Sequence, residues 1–225
     1  MDLFTNTIPQ FFISNINLNF NIMASIFDLL QSQMSDDVIG ALTSQLGAEK
    51  KQTSSAVDDG MAILMNALAK NSSSSDGASA LGSALDRDHD GSLLDDLTGF
   101  IQGNASTANS RAGNGAGILG HLLGSKQSGA IDALSKMSGL NNNQSSSLLV
   151  KLAPIVLGML GKQKRSSGLS NSDLSSVLSG ALGQANQRAA NPSLITSLLD
   201  RDGDGSIADE AASLGMNLLK GLFKK

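Results

Sequence analysis

IGALTSQLGAEKKQTSSAVDDGMAILMNALAK (residues 39–70) and IDALSKMSGLNNNQSSSLLVKLAPIVLGMLGK (131–162) carry one pattern twice. The offset between them is a constant 92, pairing Leu42 with Leu134, Gly47 with Gly139, Gln52 with Gln144, Ile63 with Ile155 and Lys70 with Lys162. Self-similarity at a fixed offset predicts repeated structural units. Within the first copy Val38, Ile39, Leu42 and Leu46 follow helical spacing, and Gly47 supplies a stop. A second helix begins at Thr53-Ser54-Ser55, with Val57, Met61, Leu64, Met65 and Leu68 on one face. No segment alternates with β-branched or aromatic residues as a strand would. The expected fold class is therefore all-α, with two tandem repeats of a small helical bundle.

A second repeated element lies outside these helices. LDRDHDGSLLDD (85–96) returns as LDRDGDGSIADE (199–210), at an offset of 114 from Asp86 to Asp200. The second copy thus carries about 22 additional residues, placed within RSSGLSNSDLSSVLSGALGQANQ (165–187). The expected organisation has residues 1–22 as a loose extension or a mis-assigned start. Repeat one follows at 23–104, a linker at 105–115 and repeat two at 116–225. The linker is read from the Gly, Asn, Ser and Ala content around GNASTANSRAGNGAG.

Each repeat should end in a helix–DxDxDG loop–helix unit. In a calcium loop of the EF-hand kind, positions 1, 3 and 5 offer side-chain oxygens, position 6 is glycine and position 7 gives its carbonyl. Copy one supplies Asp86, Asp88 and Asp90, then Gly91 and Ser92. Copy two supplies Asp200, Asp202, Asp204, Gly205 and Ser206. Leu93 and Ile207 stand at position 8, where an aliphatic side chain tucks under the loop. Position 12 departs from the pattern, being Leu97 in loop 86–97 and Ala211 in loop 200–211. Asp96 and Glu210 at position 11 are the candidate closing ligands. The metal expected is calcium, with magnesium as the substitute. The competing structural reading takes Ser92–Asp95 and Ser206–Asp209 as capping boxes. Three alternate aspartates before a glycine exceed what a cap needs, and uncompensated they repel. Arg87, Arg201 and His89 fall at outward positions 2 and 4 and receive no ligand role.

The stretch from Met23 has LLQ at 29–31, SDD at 35–37 and LG at 46–47. Together with the Gln-Ser/Thr-Ser helix starts and the DxDxDG turns, it resembles the YidB-like bacterial family of domains of unknown function. The resemblance covers nearly all of 23–225 as two copies and leaves out residues 1–22. It implies a small all-helical fold and no established activity, and it carries over no catalytic residue.

Composition narrows the remaining classes. The chain has 225 residues, 40% of them hydrophobic, 3% aromatic and none cysteine, with a net charge of −4. The core must then be aliphatic, and disulfides and thiolate metal sites are excluded. An acidic chain almost without stacking aromatics is a poor nucleic-acid partner. The start lacks a basic n-region and is broken by Asn15, Asn17, Asn19 and Asn21, unlike a signal peptide. The apolar run Leu148–Leu160 is interrupted by Lys151 and Pro154 and falls short of the about 20 residues a bilayer needs. The expectation is a soluble, cytoplasmic protein with no membrane partner. GAGILG (115–120) matches a dinucleotide fingerprint but follows a polar linker rather than a strand. GMLGKQKR (158–165) misses the P-loop because Gln163 stands where a Ser or Thr is required. His89 and His121 are the only histidines, and no acid–base pair is evident. The sequence therefore predicts a non-enzymatic calcium-binding helical protein. The alternative is a calcium-independent scaffold for self-association as a homo-oligomer or for an unknown protein partner.

Overall fold

The computed structural model describes residues 32–104 and 111–199, and among those residues all regular structure is helical. In the first half α1 (Asp36–Leu46), α2 (Lys50–Asn71) and α3 (Ser75–Asp88) lead to a 3-10 turn (Ser92–Asp96) and α4 (Leu97–Gln102). In the second half α5 (Gly115–Leu123) and a 3-10 turn (Gly124–Lys126) precede α6 (Gln127–Ser138). The half closes with α7 (Asn142–Ser167), α8 (Asn171–Arg188) and α9 (Pro192–Leu199). The all-α expectation holds.

Local chemistry accounts for the helix ends. Ser35 accepts the Val38 N–H, and Asp36 and Asp37 face the positive end of α1. Gly47 ends α1 at φ 60° and Gly139 ends α6 at φ 73°, a left-handed conformation that costs only glycine nothing. Asn141 and Gln144 form a reciprocal capping box at the start of α7.

Two helices are buried nearly all round, as central helices must be. In α2 each residue from Asp59 to Ala69 is buried, and in α7 each from Leu152 to Gly161. They cross where Gly60 faces Leu152, positions that are themselves 92 apart; a Cβ on Gly60 would stand 2.9 Å from the leucine methyl. The ends embrace reciprocally. Gln144 Nε2 donates to the Leu46 carbonyl at 3.0 Å, and Gln52 Nε2 lies beside Gly139. α6 and α8 pack on α2, while α5 and the first 3-10 turn pack on α7.

Two separate bundles in tandem are thus not confirmed. One apolar core runs from Val38 to Ile195 and draws on both halves. α2 and α7 are too apolar on every face to be covered by their own neighbours alone, so each completes the other's cover.

α7 also extends the apolar run read from sequence. Its 26 residues include a window of mean hydropathy 1.3, long and apolar enough by itself to cross a bilayer, and 72% of that window is buried in the protein. Pro154 sits inside this helix and cannot donate to the Val150 carbonyl. Gly115, at the start of α5, fits against that carbonyl, where any Cβ would collide with it. The first glycine of GAGILG is therefore a packing residue.

Candidate functional site

The first aspartate turn closes against the second half of α7. Gly158 and Gly161 remove side chains from the approaching face. A Cβ at Gly161 would strike the His89 carbonyl oxygen, and Gly158 lies against Gly91 and Leu94. Gly91 adopts φ 88°, and a Cβ there would come within 2.9 Å of the Lys162 Cβ, so conformation and space both demand glycine. Beneath the turn Leu85, Leu93 and Leu94 are buried. The position-8 leucine is tucked under the loop as expected.

The carboxylates of Asp86, Asp88, Asp90 and Asp96 each have a partner within the chain. Lys164 Nζ bonds both oxygens of Asp86 at 2.7 Å, with the lysine side chain 10% exposed and the aspartate 54%. Arg87 pairs with its neighbour Asp88 through Nε at 3.0 Å. Ser92 donates to Asp90 Oδ1 from its hydroxyl at 2.6 Å and its N–H at 2.9 Å. Those bonds, chiefly the hydroxyl's, hold the Asp90 acid below the usual carboxylate range. Asp96 accepts the Gly99 N–H at 2.9 Å as the N-cap of α4. Arg165 donates to the His89 carbonyl at 3.1 Å.

The structure therefore brings Asp86, Asp88, Asp90 and Ser92 into one turn without pointing their oxygens at a common centre. Among the described residues no three carboxylate or imidazole groups converge to hold a metal. Asp200, Asp202, Asp204, Ser206 and Glu210 lie outside the described residues.

One detail differs from the competing cap reading and one from the expected orientation of position 4. The capping residue is Asp96, since the Ser92 hydroxyl is turned back to Asp90. His89, expected to face outward, is only 6% exposed. Leu93 and Gly161 draw the turn down onto α7, and position 4 goes in with it. Burial pushes the His89 imidazole below its usual 6.5, against the opposing pull of Asp88 and Asp90.

Lys164, Arg165 and Gly161 are the site residues that the sequence leaves anonymous. GMLGKQKR reads from sequence as a failed P-loop whose cations suit a helix C-terminus, which is where Lys164 and Arg165 stand. Its physical meaning, a small-residue face followed by Lys164 and Arg165 as clasping cations, depends on a partner 78 residues away.

A family model described as "Bacterial protein of unknown function (DUF937)" matches residues 28–163, more than half of the chain. The matched span includes α1 to α6 and the first aspartate turn, and ends within α7. No curated protein and no solved structure matches.

Proposed function

The chain belongs to this family of bacterial proteins of unknown function, and on that premise we propose that it is a non-enzymatic calcium-binding helical protein. In this reading the second aspartate turn takes the ion and the first has replaced it. The observation that carries the proposal is the pair between Lys164 and Asp86. Three alternate acids on a tight turn need positive charge. At the first turn Lys164, Arg87 and Arg165 supply it from within the chain.

The second turn repeats the acids as Asp200, Asp202 and Asp204, with Arg201 in the place of Arg87. Taken as copies at the 92-residue offset, Lys164 and Arg165 correspond to Ser72 and Ser73. Neither serine brings charge. Ser72 is buried with its hydroxyl on the Ala69 carbonyl, and Ser73 bonds the Lys70 carbonyl. The second turn keeps the acids in sequence, and the positions that correspond to Lys164 and Arg165 carry no charge, so in this reading a divalent cation balances it. Asp200, Asp202 and Asp204, the Ser206 carbonyl and Glu210 are the oxygen donors calcium prefers.

Calorimetric titration of the chelator-stripped full chain tests this. One calcium per chain is expected, with weaker magnesium binding and loss of both in Asp200→Asn/Asp204→Asn. Lys164→Met should add a second calcium at the freed first turn. Two equivalents in the unaltered chain would mean that the clasp opens for metal. No binding up to millimolar calcium would sink the reading and favour the calcium-independent scaffold.

A further inference from the structure

Helix α9 is lightly held. Of its described side chains only Ile195 is buried, while Pro192, Ser193 and Leu194 are exposed. It packs on α2 and α6, and the helical ladder is broken between α8 and α9 at residues 189–191. Few apolar anchors beside a broken ladder mark a segment that opens more readily than the core. A bond across the molecule fastens the break. Ala190 donates its N–H at 2.7 Å to Oδ1 of Asp59, 131 residues away in the middle of α2.

An aspartate is a costly choice for that role. Asp59 is 1% exposed, and its Oδ2 is buried with no hydrogen-bond partner. One neutral amide is a poor replacement for the water that an ionised carboxylate gives up. The charged groups of the helices packed on α2 are committed elsewhere or exposed. Asp132 and Lys136 of α6 pair with each other, Lys151 of α7 holds the Ile101 carbonyl, and Asp173 of α8 bonds Ser170. Helix α9 carries no charged residue, and Asp58, beside Asp59 in α2, is exposed.

From this arrangement we infer that Asp59 is a proton-operated latch, which when protonated holds the α8–α9 joint against α2 and when ionised lets α9 lift. Since α9 ends at Leu199, the latch also sets where the second aspartate turn begins. It needs no metal and is independent of the calcium proposal. Burial raises the Asp59 acid above 3.8, and the bond from Ala190 opposes this only in part. Docking is therefore fully supported below 3.8, and that support is lost as pH rises through the value of the docked acid.

The test is hydrogen exchange of the full chain by NMR between neutral pH and 3.8, each rate divided by its intrinsic value at that pH. Ala190 and the α9 amides should exchange faster than those of α7 throughout. Within the window their protection should fall about tenfold for each pH unit gained, then level off above the docked value. Asp59→Asn, which cannot ionise, should flatten the profile and keep α9 protected at neutral pH. Arg188→Gln, two residues before the joint, should leave the profile of the parent intact. Exchange of α9 at the rates of α7 would overturn the inference, because nothing then opens locally. So would a profile that survives in Asp59→Asn, or one that disappears in Arg188→Gln.

Discussion

A methyl group at Gly161 would meet the His89 carbonyl oxygen, which is backbone and cannot swing aside. Gly161→Ala should therefore destabilise the protein by about 1–3 kcal/mol, the usual cost of overpacking a close contact. Urea denaturation would read it, and an unchanged midpoint would show that the turn does not rest on α7. Asp59 is a different kind of single-residue liability. It is 1% exposed in the middle of α2, with Oδ1 accepting the Ala190 N–H at 2.7 Å and Oδ2 unpartnered. Burial pushes its acid above the usual 3.8, and the Ala190 bond opposes this. A raised acid favours the fold fully below the ordinary value and loses that contribution as pH rises through the folded one. Asp59→Asn keeps an acceptor for Ala190 and cannot ionise. It should melt higher than the parent at neutral pH, with the difference closing in acid below 3.8. A constant difference at all pH values would refute this account.

At the scale of elements, α7 is a helix with a proline in its interior that is nonetheless central to the core. Its Val150 carbonyl, freed by Pro154, is covered by the backbone of Gly115 rather than by a donor. Gly115→Ala must push α5 off α7, again about 1–3 kcal/mol by the overpacking scale. The loss should appear as faster amide exchange confined to α5. Lys151, one residue after Val150, sends its ammonium to the Ile101 carbonyl at 2.7 Å, at the C-terminal end of α4. That is where a helix accepts positive charge, and burial lowers the lysine's own pKa. Lys151→Met should cost about 0.5–2 kcal/mol from the lost charged hydrogen bond, offset by easier burial. Exchange protection around Phe100–Gln102 would report it.

For the whole molecule, the reciprocal packing of α2 and α7 makes the two halves mutually dependent. Residues 23–104 alone would leave α2 without α6, α7 and α8, and residues 116–225 would leave α7 without α2. Each half expressed alone should give little cooperative melting by circular dichroism, and mixing the two should restore it. Independent melting of either half would support self-sufficient repeats. The helix pairs, their glycine stops and the aspartate turn were readable because periodicity and turn chemistry act over a few residues. The core was less readable, since apolar faces do not name their partners.

Sequence alone determined that the described residues are all-helical, that Gly47 and Gly139 end helices, and that Gly91 turns among aspartates over a buried Leu93. Those features follow from local spacing and backbone conformation. Tertiary structure alone decided that Asp86 meets Lys164, that His89 goes inside, and that a groove forms beside Leu157. Each of these requires segments distant in the chain to approach closely. That approach is set by missing side chains at Gly158, Gly161 and Gly60, whose consequence appears only when another helix or turn arrives to use the space.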